Sequence, residues 1–174
     1  MSSKNKIVDK RAVSTTFDSI ICAYSEHPDI QNKISSYNAL VISSSEFYSK
    51  DTCFPQGTID FYQYLQRNSS ADFKVGIAVI DDEYQELTQY SDTIVLATII
   101  VQSIYFPVII NLISNYIYDK CISKNNEVVS EILINKKDHT INYKYCGPAE
   151  TYEKVMLNLL EYGAVELTNG SEEN

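Results

Sequence analysis

Thr93-Ile-Val-Leu-Ala-Thr-Ile-Ile-Val-Gln-Ser-Ile-Tyr-Phe-Pro-Val-Ile-Ile-Asn-Leu-Ile-Ser-Asn-Tyr-Ile-Tyr118 carries no charged side chain. As one helix it is long enough to cross a bilayer. Its composition divides it instead. Thr93–Val101 is dominated by β-branched residues, the signature of a buried strand. Pro107 then opens a helical period that sets Ile109, Leu112, Ile113, Tyr116 and Ile117 on one side and Asn111, Ser114, Asn115 and Asp119 on the other. The polar side chains of Gln102, Ser103, Asn111, Ser114 and Asn115 are costly in hydrocarbon. A strand followed by an amphipathic helix is therefore the reading, with membrane attachment through 93–118 as its rival.

Working outward, Ala39–Ser43 and Phe73–Ile80 read as two more buried strands. Between them Thr58 is placed to cap a helix whose apolar face is Ile59, Phe61, Tyr62 and Leu65. Asp81-Asp82-Glu83 closes the second strand and begins a short helix to about Tyr90. Upstream, Val13, Phe17, Ile20, Ile21 and Tyr24 recur at helical spacing until His27-Pro28, and a second helical turn covers Asp29–Ser35. Downstream, Glu127–Asn135 and His139–Tyr145 flank the polar turn Lys136–Asp138 as an antiparallel hairpin. Ile141, Tyr143 and Tyr145 share its buried face, and Thr140, Asn142 and Lys144 share a wet one. Gly147-Pro148-Ala149-Glu150 starts a last helix, with Tyr152, Met156, Leu159 and Leu160 as its buried stripe and Gly163 as its cap.

Strands alternating with helices imply parallel pairing and right-handed crossovers. The expected fold is α/β: a three-layer open sheet, mainly parallel β-α-β-α-β-α, with a C-terminal antiparallel ββα extension. One domain covers 1–174, made of an N-terminal helical segment at 1–37, an α/β body at 38–121, the extension at 127–163 and a disordered tail at 169–174.

Charge and cysteine usage narrow the function. With 14 basic and 23 acidic residues the net charge is −9, which repels nucleic acid and anionic lipid. Lys136, Lys137 and Lys144 make a small basic spot that this charge outweighs. Cys22, Cys53, Cys121 and Cys146 lie far apart, and His27 and His139 do not complete a zinc spacing. Met1–Lys10 is polar, so reduced cysteines and a cytoplasmic location are expected.

Four groups of residues suggest chemistry. Asp81, Asp82 and Glu83, at the carboxyl end of a strand, are the candidate metal ligands; they would hold Mg²⁺ if the chain takes a cofactor at all. Pro55-Gln56-Gly57-Thr58 presents amides to a phosphate but lacks the lysine and second glycine of a Walker loop. Ser43–Ser45 follow a strand without a nucleophile elbow or a positioned histidine. Glu131 begins a nuclease-like pattern, but Leu133 stands where a lysine is needed. The other resource is 14 tyrosines with no tryptophan, which either serve a protein interface or reflect an isoleucine-, lysine- and asparagine-rich proteome that uses tyrosine freely.

Three stretches, Phe54–Asp60, Ile110–Lys120 and Tyr145–Glu150, together resemble small uncharacterised bacterial proteins of strand–helix character over roughly residues 38–160. The resemblance implies a setting among phage-defence or toxin–immunity genes and assigns no residue a role. The expected function is a non-enzymatic interaction protein, an accessory or regulatory subunit that binds another protein or a second copy of itself. The alternative is a ligand-sensing or metal-dependent enzyme domain using the carboxylates at the strand ends.

Overall fold

The computed structural model describes residues 8–43, 53–88, 92–120 and 126–159. Ser44, Ser45, Cys121, Leu160, Gly163 and the tail at 169–174 lie outside them. In chain order the elements are β1 (Val8–Val13), α1 (Phe17–Ala23), α2 (Pro28–Ser35), β2 (Ala39–Ile42), β3 (Cys53–Pro55), α3 (Thr58–Asn68), β4 (Val75–Ile77), β5 (Gln85–Leu87), β6 (Ile94–Val95), β7 (Thr98–Gln102), α4 (Phe106–Lys120), β8 (Glu127–Asn135) and β9 (Thr140–Pro148). A final helix, α5, occupies 152–159.

The fold is mixed α/β. Its main sheet runs β1-β9-β8-β7-β2-β4, with β6 also on β8. The pairs β2/β4, β7/β8 and β6/β8 are parallel, whereas β2/β7, β8/β9 and β1/β9 are antiparallel. The mainly parallel sheet expected from the sequence is therefore corrected to a mixed one. The cause lies in the link after β4. Instead of a helix to Tyr90, that link holds a 3₁₀ turn at Asp81–Glu83 and the strand β5, which pairs with β3 in a separate small sheet. A parallel return needs a crossover that carries the chain back to the other end of the sheet. This link makes none, so β7 runs back beside β2 in the opposite sense.

The uncharged segment does divide into strand and helix. Its strand is interrupted: Ile94 and Val95 oppose Val128 and Val129, but Ile99 opposes Ile132, so one extra residue bulges between β6 and β7. From β7 the chain crosses through α4 to the parallel neighbour β8. This β7–α4–β8 unit is the right place for the helix that the sequence predicts. The hairpin β8/β9 is antiparallel as expected, and β8 joins β7 directly, so the sheet continues through the C-terminal segment. At the N-terminus, Val13 belongs to β1 and not to a helical face, which corrects the wholly helical reading of 1–37.

Alternation along the strands gives the sheet two packed faces. On one, Val41, Ile99, Ile132 and Tyr143 meet Phe61 of α3, Ile109 and Ile113 of α4 and Met156 of α5. On the other, Leu40, Ile100 and Leu133 meet Phe17 of α1 and Ile34 of α2. The latter face changes the reading of β9, because Thr140 and Asn142 are buried there and not wet. Asn142 donates to Glu131 across the hairpin at 2.8 Å, so Glu131 is an internal acceptor on the sheet.

Candidate functional site

Beyond the carboxyl ends of β2 and β4, where ligands settle on open sheets, a cleft of about 470 Å³ opens against α1. Its polar lining includes Ser19, Tyr24, Glu26, His27, Ser43 and Glu83. Burial, and then the Glu83 carboxylate, push the Tyr24 hydroxyl above the ordinary tyrosine range. His27 and Ser43, unrelated in sequence, thus share one cleft. Asp82 turns elsewhere. It lines a separate cleft of about 310 Å³ with Lys33, Tyr37 and Tyr62, on the α2 and α3 side of β4. The two acidic side chains described in this turn, Asp82 and Glu83, therefore do not converge, and the Asp81 side chain is outside the described atoms. Among the described residues, no group of three His, Cys, Asp or Glu side chains is disposed to hold a metal ion.

The amino end of α3 shows why Pro55–Thr58 is a structural joint. Gly57, not the expected Thr58, caps the helix, with φ of 86°, a left-handed conformation that favours glycine. Thr58 instead donates its hydroxyl to the Pro55 carbonyl at 2.6 Å. An anion already occupies the helix amides: the Glu86 carboxylate accepts from Gly57 N at 3.3 Å and from Ile59 N at 3.4 Å. Glu86 also accepts from the Tyr84 hydroxyl at 2.6 Å, and the Tyr84 ring stacks on Phe54 at 5.0 Å. The phosphate-like loop is thus closed by the protein's own side chain. Replacing Glu86 with alanine removes these acceptors and is expected to cost about 1–2 kcal/mol in urea unfolding. An unchanged midpoint would show that water substitutes fully for the carboxylate.

Two of the stretches that carry the resemblance meet at the seam of α3 and α4. Asp60 accepts from the Tyr116 hydroxyl at 3.2 Å and pairs with Lys120 at 2.8 Å. The Lys120 hydrogen bond lowers the Asp60 carboxyl below its ordinary range, against an opposing desolvation, with further help from Tyr116. A depressed carboxylate stabilises the fold above its unfolded pKa, and that contribution is lost as pH falls through the folded value. The pair is half exposed, at 48% and 51%, so Lys120→Met is expected to cost under about 1 kcal/mol, shrinking further in salt. A larger, salt-insensitive loss in thermal melts would contradict this.

The outer face of α4 is of a different character. Ile104 in the preceding 3₁₀ turn is 75% exposed, Val108 is 43% exposed and Tyr118 is 56% exposed. Pro107, Asn111 and Asn115 are also exposed. At about 100° per residue, the helical members of this set fall within roughly a third of the circumference. Along α4 itself charge begins at Asp119 and Lys120, and at that end of the face the Tyr118 hydroxyl donates to the Glu153 carboxylate of α5 at 3.4 Å. Ser114, expected on this polar side, is buried and donates to the Ile110 carbonyl at 2.7 Å.

The tyrosines favour the core more than the sequence alone suggests. Tyr116, Tyr143, Tyr145 and Tyr152 are buried, and the Tyr152 hydroxyl shares a hydrogen bond of 3.0 Å with Ser130. No described helix is long and apolar enough to cross a membrane. No family model, curated protein or solved structure matches this chain.

Proposed function

We propose that this chain is a non-enzymatic interaction protein, an accessory or regulatory subunit, and that it docks through the uncharged outer face of α4. One observation carries the reading: a chain of net charge −9 leaves that exposed helical strip without a charge from Ile104 to Tyr118. Interface centres are depleted of charge and enriched in aromatic and apolar side chains. The architecture proposed to carry the face has three layers, with α1 and α2 on one side of the mixed sheet and α3, α4 and α5 on the other. A cytoplasmic setting suits the exposed free thiols of Cys22 and Cys146. The bacterial defence or toxin–immunity role that the resemblance implies belongs to the same proposal.

Glutamate at both Ile104 and Val108 tests it. Both residues are exposed, so the melting temperature should hold within a few degrees while a partner retained by the parent chain during purification is lost. If parent and variant retain the same partners in the same amounts, the reading fails.

A second reading follows from the cleft that gathers Tyr24, His27, Ser43 and Glu83, where a small ligand would be sensed or turned over. Its metal-dependent form, Mg²⁺ held by Asp81, Asp82 and Glu83, would require Asp82 and Glu83 to leave the separate clefts that they line. Thermal shifts with Mg²⁺, Mn²⁺ and nucleotides, repeated on Asp82→Asn and Glu83→Gln, decide it. No shift in the parent protein removes it.

A further inference from the structure

We infer that the cleft between α2 and the edge strand β4 binds a small zwitterion with an apolar body, the chemistry shared by an apolar α-amino acid and an apolar dipeptide. The inference stands apart from the α4 face and from the α1 cleft. Ile30, Lys33, Ile34 and Tyr37 recur at i, i+3, i+4 and i+7, so α2 and the residues just past it present one stripe to the cleft. The opposite wall begins with Ile77 at the end of β4 and reaches Asp82 in the 3₁₀ turn that follows. Tyr62 enters from α3, on the other side of the sheet. The cleft they line, about 310 Å³, lies beyond the carboxyl ends of the parallel pair β2 and β4. Small-molecule sites run from roughly 300 to 1,000 Å³, so its occupant is small.

Charge identifies that occupant. The lining holds one ammonium, Lys33, and one carboxylate, Asp82, both exposed. Among the described residues neither forms a salt bridge, with the other or with a third group. A simple anion is drawn to Lys33 and repelled by Asp82, and a simple cation meets the reverse. A molecule that carries both charges satisfies both residues. Isoleucine, valine and tyrosine make up the rest of the lining, which calls for an apolar body between or beside those charges.

Hydrogen bonding supports the same ligand. The Tyr62 hydroxyl accepts from Gln66 Nε2 at 2.6 Å, which leaves its own proton to donate to a ligand carboxylate. Burial, and then Tyr37, hold that hydroxyl above the ordinary tyrosine range, so it keeps the proton at neutral pH. β4 is also the last strand of the main sheet, and Ala78 N donates back to Val41 O at 2.9 Å. The main-chain groups of Ile77 therefore point outward, adding a donor and an acceptor beside the cleft. Because both charges are exposed, each contributes modestly, and a dissociation constant of about 10 µM to 1 mM is expected.

Calorimetric titration of the full chain with L-leucine, L-phenylalanine and L-leucyl-L-leucine, each to about 10 mM, tests the inference. At least one should saturate, and amino acid against dipeptide decides the span between the charges. The C-terminal amide and the N-acetyl form of that ligand, each lacking one charge, should bind at least tenfold more weakly. Glycine, which lacks the apolar body, should also lose at least tenfold. Lys33→Met should weaken the ligand about tenfold yet leave binding of its amide form unchanged, and Asp82→Asn should do the same toward the N-acetyl form. Both residues are exposed, so the melting temperature should hold within a few degrees. No binding by any of the three probes, or binding indifferent to Lys33→Met, overturns the inference. Binding that responds to Glu83→Gln and not to Lys33→Met places the ligand in the α1 cleft and overturns it as well.

Discussion

Raised from about pH 9 to pH 11.5, this protein is expected to lose up to about 4 kcal/mol of stability through Tyr116 and Tyr152 together, a large part of the roughly 5–15 kcal/mol that holds an ordinary domain folded. Both phenols are buried, and burial is the first cause that holds their ionisation well above the ordinary tyrosine range. Asp60 raises Tyr116 further, while the Ser130 hydrogen bond partly offsets the burial of Tyr152. The sign follows from proton counting. Above the unfolded pKa near 10 the unfolded chain releases these protons while the folded chain keeps them, so stability falls as pH rises. Each such tyrosine contributes a slope of up to about 1.4 kcal/mol per pH unit until its folded pKa is reached. Tyr84 adds in the same direction through burial and its Glu86 contact, discounted because it is partly exposed. Urea unfolding at stepped pH measures the slope. Tyr152→Phe should lower stability by about 1–3 kcal/mol at neutral pH, by stranding the Ser130 hydroxyl, and should flatten the alkaline limb. An alkaline limb as steep as the parent's would show that Tyr152 ionises as freely in the fold as in the unfolded chain.

Gly76→Ala should cost about 2–3 kcal/mol, although a glycine replaced in a strand at ordinary φ would otherwise gain about 0.4–1 kcal/mol from reduced freedom of the unfolded chain. Space decides the sign. A Cβ on Gly76 would stand 2.2 Å from Cδ2 and 2.4 Å from Cε2 of the Tyr37 ring, which lies over β4 beside the α2 cluster. Either the ring leaves its packing or β4 moves from β2. Tyr37→Ala in the same chain should relieve the clash, giving a favourable coupling of at least about 1 kcal/mol in a double-mutant cycle. Additive losses in urea melts would mean that Tyr37 does not meet the new methyl group.

Locally periodic segments were legible in the sequence. The helix after Pro107, the helix from Thr58 and the hairpin over Glu127–Tyr145 announce themselves because each buries one face and its apolar spacing records which. β1 was not legible. Its exposed Asp9, Lys10 and Arg11 give no alternation, and its final residue, Val13, falls at helical spacing from Phe17. β5 was hidden for a similar reason, since Gln85, Glu86 and Leu87 are all exposed and the strand exists through its pairing with β3. The burial of Thr140 and Asn142 was misread because alternation reports polarity, and packing on the second face comes from elements more than a hundred residues away. Asn135 illustrates this, accepting from Phe17 N at 2.9 Å.

The candidate sites show the same division. Asp81, Asp82 and Glu83 stand together in sequence, yet a 3₁₀ turn sends Asp82 and Glu83 into separate clefts. His27 and Ser43 stand apart in sequence, yet they line one cleft because α1 packs beside the end of β2. No spacing rule could have paired them.

The sequence by itself determined that residues 93–118 form a buried strand and a helix, because β-branched residues, a proline and a helical period act through local sterics and burial. Only the tertiary structure decided what that missing charge means. Part of it is core, where burial requires it. The rest is an exposed face of α4, which no burial requirement explains, because the solvent side of a helix tolerates charge.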